Sequence, residues 1–200
     1  TVTLKEEILA RKENALGLAK VVFRPDSGDP VKIVCGLSVA DITGLSDYSA
    51  HEAAYACDAV LYQGKYYEFE CVHEVDREDG SWYNEEVITG NEIPECVVKG
   101  SVECLWDIFG GTTNTKGYKE LNPRVGLIYG DSITLERAQT ILKRLKDKGF
   151  ASSNIVFGIG SYTYQYQTRD SYGFAMKATF GVVNGVDKEI FKSPKTGDSF

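Results

Sequence analysis

Three stretches of the chain share one grammar, a nearly unbroken apolar run that ends in Gly, Asp or Ser: Val21 to Gly28, Val125 to Ser132 and Ile155 to Ser161. Near-continuous apolarity predicts strands covered on both faces, as in parallel sheets. A fourth run, Met176 to Val183, closes the series before an Asn184-Gly185 turn. Between the second and third runs, Leu135, Ala138, Ile141, Leu142 and Leu145 recur at helical spacing. Asp131 to Thr134 offer capping side chains ahead of them, and Gly149 stands just past their end. Lys143, Arg144, Lys146 and Lys148 crowd the last turns, where positive charge suits the negative end of the helix dipole. The segment predicts a strand-helix-strand unit. Shorter helices are predicted over Leu4 to Lys12 and over Val102 to Phe109, the latter ended by Gly110-Gly111.

Residues 31–98 follow a different rule. Tyr67, Phe69 and Cys71 alternate with Glu68 and Glu70, and turn signals stand at Gln63-Gly64, Asp79-Gly80 and Gly90-Asn91. This is the pattern of an antiparallel, β-rich insertion that packs on the rest of the chain. The expected architecture is therefore α/β, with 1–30 and 99–200 forming one unit and 31–98 the insertion.

Composition narrows the function. In 200 residues, 42% are apolar and 26% charged, which is ordinary globular usage. A formal net charge of −7 argues against a broad nucleic-acid or acidic-membrane surface, so an anionic ligand has to be met by a few placed cations and backbone N–H groups. The cysteines Cys35, Cys57, Cys71, Cys96 and Cys104 are odd in number and form no Cys-x-x-Cys pair. Neither a disulfide framework nor a four-thiolate zinc site is suggested, and a reducing compartment fits. No apolar stretch approaches the roughly 18 residues of a membrane span, and the start is rich in Lys and Glu, so a soluble, cytoplasmic protein is expected.

Candidate chemistry lies at the ends of the apolar runs, where α/β proteins keep their ligands. Arg24 and Asp26 alternate along Arg24-Pro25-Asp26-Ser27-Gly28-Asp29-Pro30, so a cationic fork and an acceptor can share one side, as a surface ion pair or as ligand contacts. Asp131 after Gly130 is placed either to cap the following helix or to accept two vicinal ribose hydroxyls. Gly158-Ile159-Gly160-Ser161 offers free amides for a phosphate, with Arg169 and Lys177 as nearby cations. His51 and His73 lack a second spaced pair of ligands, and Tyr55, Tyr62, Tyr66, Tyr67, Trp82 and Tyr83 read as sheet packing.

Six runs together resemble the C-terminal half of the nicotinamide phosphoribosyltransferase family: residues 24–30, Gly110 to Tyr118, Tyr129 to Ser132, Phe157 to Ser161, Thr168 to Asp170 and Phe191 to Lys195. The resemblance covers 4–34 and 96–197. It implies an irregular α/β barrel of the type II phosphoribosyltransferase kind, dimeric, with sites at the subunit interface. It implies transfer of a phosphoribosyl group from 5-phosphoribosyl 1-diphosphate to nicotinamide, giving nicotinamide mononucleotide and diphosphate for NAD salvage, with Mg²⁺ on the diphosphate. By the same resemblance Arg24 and Asp26 contact the nicotinamide nucleotide and Arg24 also the diphosphate. Gly130 and Asp131 hold the ribose, and Gly160, Ser161, Arg169 and Lys177 the 5-phosphate. Where many members have a glycine run, this chain has Ser161-Tyr162, which implies phosphate contact through backbone N–H, with the Ser161 hydroxyl as a further candidate donor. The family's catalytic histidine and nicotinamide-sandwiching aromatics belong to an upstream half without a counterpart here. A fragment, a piece of a split enzyme, or a silent nucleotide-binding remnant is the expectation.

Overall fold

The computed structural model describes residues 4–26, 28–75, 82–160, 167, 169–173 and 178–190. In chain order come α1 (Lys5–Leu9), β1 (Val21–Phe23), α2 (Pro30–Cys35), β2 (Val39–Asp41), α3 (Asp47–Ala54), β3 (Ala59–Tyr62), β4 (Lys65–Val75) and β5 (Trp82–Ile93). Then follow α4 (Glu95–Phe109), β6 (Gly111–Thr113), β7 (Lys119–Leu121), β8 (Val125–Tyr129), α5 (Leu135–Asp147), β9 (Ile155–Phe157), β10 (Phe180–Val183) and β11 (Val186–Glu189).

The central sheet is parallel, in the order β1-β8-β9, with Phe23 level with Leu127 and Leu127 level with Ile155. Along β8, Val125, Leu127 and Tyr129 are buried and alternate with half-buried Gly126 and Ile128. The buried row meets Val34 and Cys35 of α2, Val102, Leu105 and Phe109 of α4, and Ile141 and Leu145 of α5 in one core. Asp29 starts α2 by accepting from Val31 N at 2.8 Å, with Pro30 at the first helical position. Among the described residues helices cover only one face of this sheet, and on the other Val22 and Val156 of the outer strands are 53% and 58% exposed. The expectation of cover on both faces is not met among the described residues.

The second sheet, β2-β3-β4-β5, is antiparallel except for the parallel pair β2–β3. Tyr67, Phe69 and Cys71 turn inward onto Ala50 and Ala54 of α3 and Val60, forming a separate core, while Glu68 and Glu70 face out. The chain enters and leaves this unit at one point. Gly36 and Gly100 sit back to back, both at positive φ, and a Cβ built on Gly100 falls 2.1 Å from Gly36 N. Gly100 breaks α4 into two helical pieces with φ 78 and ψ 172.

Several expectations change. Pro30–Cys35 is a helix whose Val34 and Cys35 belong to the larger core, although it falls almost wholly within 31–98. Gly90-Asn91 is not a turn but lies within β5, where the two residues bulge opposite Glu68 and Asn91 Nδ2 donates to Glu68 Oε2 at 3.0 Å. Of the Met176 to Val183 run, residues 176 and 177 lie outside the described residues, and Phe180–Val183 pairs antiparallel with β11 as an exposed hairpin instead of extending the parallel sheet. Leu135 and Leu142 of the apolar helix set are exposed, the core side being Ala138, Ile141 and Leu145. The Asp79-Gly80 signal lies outside the described residues.

Asp58 fastens the second sheet to the first. Its carboxylate accepts from Ser38 N at 3.0 Å and Ser38 Oγ at 2.8 Å, and pairs with Lys32 Nζ at 2.9 Å and Arg144 Nη1 at 3.2 Å. Burial alone would raise this carboxyl, but Lys32 and Ser38 outweigh it and hold its pKa well below the usual range. A folded pKa below the unfolded one gives stability that is complete above about pH 4 and drains away as the pH falls further. Asp58→Asn is expected to cost about 2 kcal/mol at neutral pH, with the difference from the parent shrinking steadily below about pH 4. Thermal melts across pH 2 to 7 check this, and a gap independent of pH contradicts it.

Candidate active site

Because β1, β8 and β9 run parallel and in register, the segments that follow them open at the same rim. Arg24 follows β1, Gly130 follows β8 and Gly158 follows β9. The last two touch as bare backbone: Gly158 N donates to Tyr129 O at 2.8 Å, and a Cβ on Gly158 falls 2.9 Å from Gly130 Cα. Only glycine permits that approach on both sides.

Arg24 and Asp26 are exposed on either side of half-buried Pro25, so both side chains leave the loop toward solvent. Among the described residues neither is held by an ion pair or a side-chain hydrogen bond, which removes the surface ion pair as Arg24's explanation. Asp131 does not cap α5. Thr134 does, its Oγ1 accepting from Arg137 N at 3.2 Å, and the Asp131 carboxylate is left exposed, accepting among the described residues from Ser132 Oγ at 3.3 Å. The Arg137 guanidinium reaches back to Ser132 O at 2.6 Å and braces this turn.

The Tyr129 hydroxyl shows how closely these groups gather. Burial raises its pKa first, and the charges of Asp131, Asp29 and Asp26 raise it further against Arg137. Three carboxylates from two loops therefore act on one phenol.

The phosphate end is described in part. Gly160 is exposed, has no positive φ, and a Cβ there would enter open space, so nothing local demands a glycine. Ser161 and Lys177 lie outside the described residues, and Arg169 is described only as the backbone opening a 3₁₀ turn, Arg169–Tyr172. Charge is segregated in a way the overall −7 hides: residues 37–99 hold 14 Asp and Glu against three Lys and Arg, leaving 15 against 19 elsewhere. The part that carries the rim is thus net positive, as an anionic ligand requires.

A cavity of about 310 Å³ adjoins Arg24 and Pro25 but is walled by Phe23, Ser101, Cys104, Leu105, Ile108 and Leu127. It lies between the sheet and α4 and does not reach Gly130 or Asp131. Among the described residues no three His, Cys, Asp or Glu side chains are grouped to hold a metal ion. His51 is buried in α3 against Tyr55, with ring centroids 6.1 Å apart. The Gly110 to Tyr118 run is the β6–β7 hairpin, whose turn Asn114 holds by accepting from Lys116 N and Tyr118 N at 3.0 Å. Since β7 leads into the start of β8, this run stands at the end of the sheet opposite the rim.

The profile of the nicotinate phosphoribosyltransferase (NAPRTase) family matches residues 1–199. The chain belongs to this family. It is 50% identical over 196 residues to a nicotinamide phosphoribosyltransferase of Acinetobacter baylyi, covering 98% of the chain and 29% of that protein. Over 97 residues it is 50% identical to the nicotinamide phosphoribosyltransferase of Mycoplasma pneumoniae, covering 48% of the chain and 22% of that protein. The Xanthomonas campestris protein of the same name is 37% identical over 103 residues. The chain thus spans less than a third of the length of these relatives. The run Tyr129 to Ser132 included Tyr129 but gave it no role at the rim; its signal was a polar tip closing a buried strand directly before Gly130-Asp131.

Proposed function

We propose that this chain is the nucleotide-holding part of an enzyme that joins nicotinamide to 5-phosphoribosyl 1-diphosphate, yielding nicotinamide mononucleotide and diphosphate in NAD salvage. The supporting observation is the shared rim: an exposed guanidinium and two exposed carboxylates stand at the parallel strand ends β1 and β8, and the Gly158–Gly160 loop beside them comes from β9. In this reading Arg24 and Asp26 orient the base and Arg24 meets the diphosphate. Asp131 accepts the vicinal ribose hydroxyls while Gly130 lets the sugar come close. Gly160, with Ser161, Arg169 and Lys177, takes the 5-phosphate through amides and cations.

Displacement breaks the bond from the ribose anomeric carbon to the diphosphate oxygen, which leaves with the electron pair, and forms a bond from that carbon to the nicotinamide ring nitrogen. The transition state is oxocarbenium-like, so fixed orientation and charge neutralisation are what a protein can supply. Asp131 holds the ribose in place, and Arg24 offsets the charge growing on the leaving group. The oxygen donors Asp26 and Asp131 fit Mg²⁺ brought in with the substrate's own phosphates, not an all-protein cage. When bound, that ion screens the departing diphosphate.

The open strand edges at Val22 and Val156 and exposed Leu135 support a larger assembly, in which further strands complete a type II α/β barrel and a dimer closes the site. Residues 4–36 and 100–190 make this chain's share of the barrel, and 37–99 a module set on it. Among the described residues no helix is long and apolar enough to cross a membrane. The expected result is that the chain alone binds nicotinamide mononucleotide without turnover, and that adding the segments its relatives carry restores product formation, followed by chromatography. Binding with no turnover in the completed protein supports a silent remnant instead, and no binding at all removes the proposal.

A further inference from the structure

Tyr129 is the last residue of β8, fully buried, and its hydroxyl donates to Gly28 O at 2.9 Å. Gly28 lies two residues beyond Asp26, in the loop that leaves β1, and Gly130 and Asp131 directly follow Tyr129. One side chain therefore ties together the two loops that present Arg24 and Asp26 on one hand and Asp131 on the other. Among the described residues the loop has few other restraints: Asp29 caps α2 beyond Gly28, and Arg24 and Asp26 have no side-chain partners of their own. Burial first, and then the carboxylates of Asp131, Asp29 and Asp26, disfavour ionisation of the phenol, so at neutral pH it remains a donor.

We infer that Tyr129 is a positioning residue, whose bond to the Gly28 carbonyl sets the spacing between the base-and-diphosphate loop and the ribose loop. The inference rests on the proposed function for the identity of the ligand, but not for the coupling itself. Tyr129→Phe keeps the ring in the core and removes only the hydroxyl, so the fold is retained. A ligand that spans both loops should feel the loss, and a ligand that touches only the β8 and β9 loops should not. Nicotinamide mononucleotide is the first kind and ribose 5-phosphate the second.

Calorimetry of the chain with each probe, together with amide hydrogen exchange over residues 24–32, tests this. In Tyr129→Phe the mononucleotide is expected to bind about 10-fold more weakly and ribose 5-phosphate less than about 2-fold. Exchange should speed up at Gly28 and its neighbours but not in α5 or β9. Equal weakening for both probes, or faster exchange spread through the core, assigns Tyr129 a merely structural role and overturns the inference. Unchanged loop exchange overturns it as well. If the parent chain binds neither probe, the proposed function fails, and the loop exchange still decides the coupling.

Discussion

Gly100→Val is expected to abolish cooperative folding of the chain, at a cost above about 3 kcal/mol. Two effects add at this one position. With φ 78 and ψ 172 the backbone occupies a region that essentially only glycine visits, and a Cβ would stand 2.1 Å from Gly36 N and 2.5 Å from Cys35 C. The obstructing atoms are backbone, so no side chain can rotate away. The site also joins the two cores: Cys35 is packed in the larger, and Gly36 starts the path to the smaller. Gly117→Ala separates the two effects, because Gly117 has φ +83 but open space around its Cβ. That variant should lose only about 1 kcal/mol, the cost of the dihedral alone. Circular dichroism melts of both variants check the pair, and a Gly100→Val protein that melts like the parent contradicts the junction.

The parts of the fold that local pattern specifies were legible in the sequence. In the β8-α5-β9 unit, the two strands, the helix and its terminal Gly149 follow from residues close in sequence, whereas the expected cover on both strand faces does not hold, Val156 being exposed. Tertiary geometry decided the rest. Leu135 and Leu142 match the helical period, but the neighbouring sheet covers only the arc centred on Ile141 and Leu145. Gly90-Asn91 has turn chemistry, and the same chemistry suits a bulge when β4 runs alongside. The capping set Asp131 to Thr134 was legible as a group, whereas the choice of Thr134 depended on the Ser132 turn with its φ of 50. Of the candidate site residues, Arg24, Asp26, Gly130 and Asp131 could be placed at strand ends from sequence, because strand ends are visible in it. The Tyr129 to Gly28 bond spans 101 positions and leaves no local trace.

In the longer protein that carries the remaining family segments, Arg24→Ala and Asp131→Ala are each expected to lower kcat/KM by about 100-fold or more. Both side chains are exposed at the rim, and among the described residues Arg24 has no side-chain partner and Asp131 accepts only from the adjacent Ser132 Oγ, so their melting points should stay near the parent's. Charge-assisted hydrogen bonds of the kind an arginine makes to diphosphate, or a carboxylate to paired hydroxyls, are worth about 1.5–3 kcal/mol each when they strengthen in the transition state. Arg24→Lys should recover only part of the loss, since an ammonium cannot reproduce the two-pronged contact. Lys116→Ala, in the hairpin at the far end of the sheet, serves as the control and should leave turnover unchanged. Full activity in both rim variants contradicts the roles given to them.

The most direct test is to titrate the isotopically labelled chain with nicotinamide mononucleotide and follow amide chemical shifts. If one ribose phosphate lies across the ends of β1, β8 and β9, residues 24–28, 130–132 and 158–160 shift together and fit a single dissociation constant. Shifts confined to 37–99, or loops that titrate with separate constants, would show that the three strand ends do not form one site.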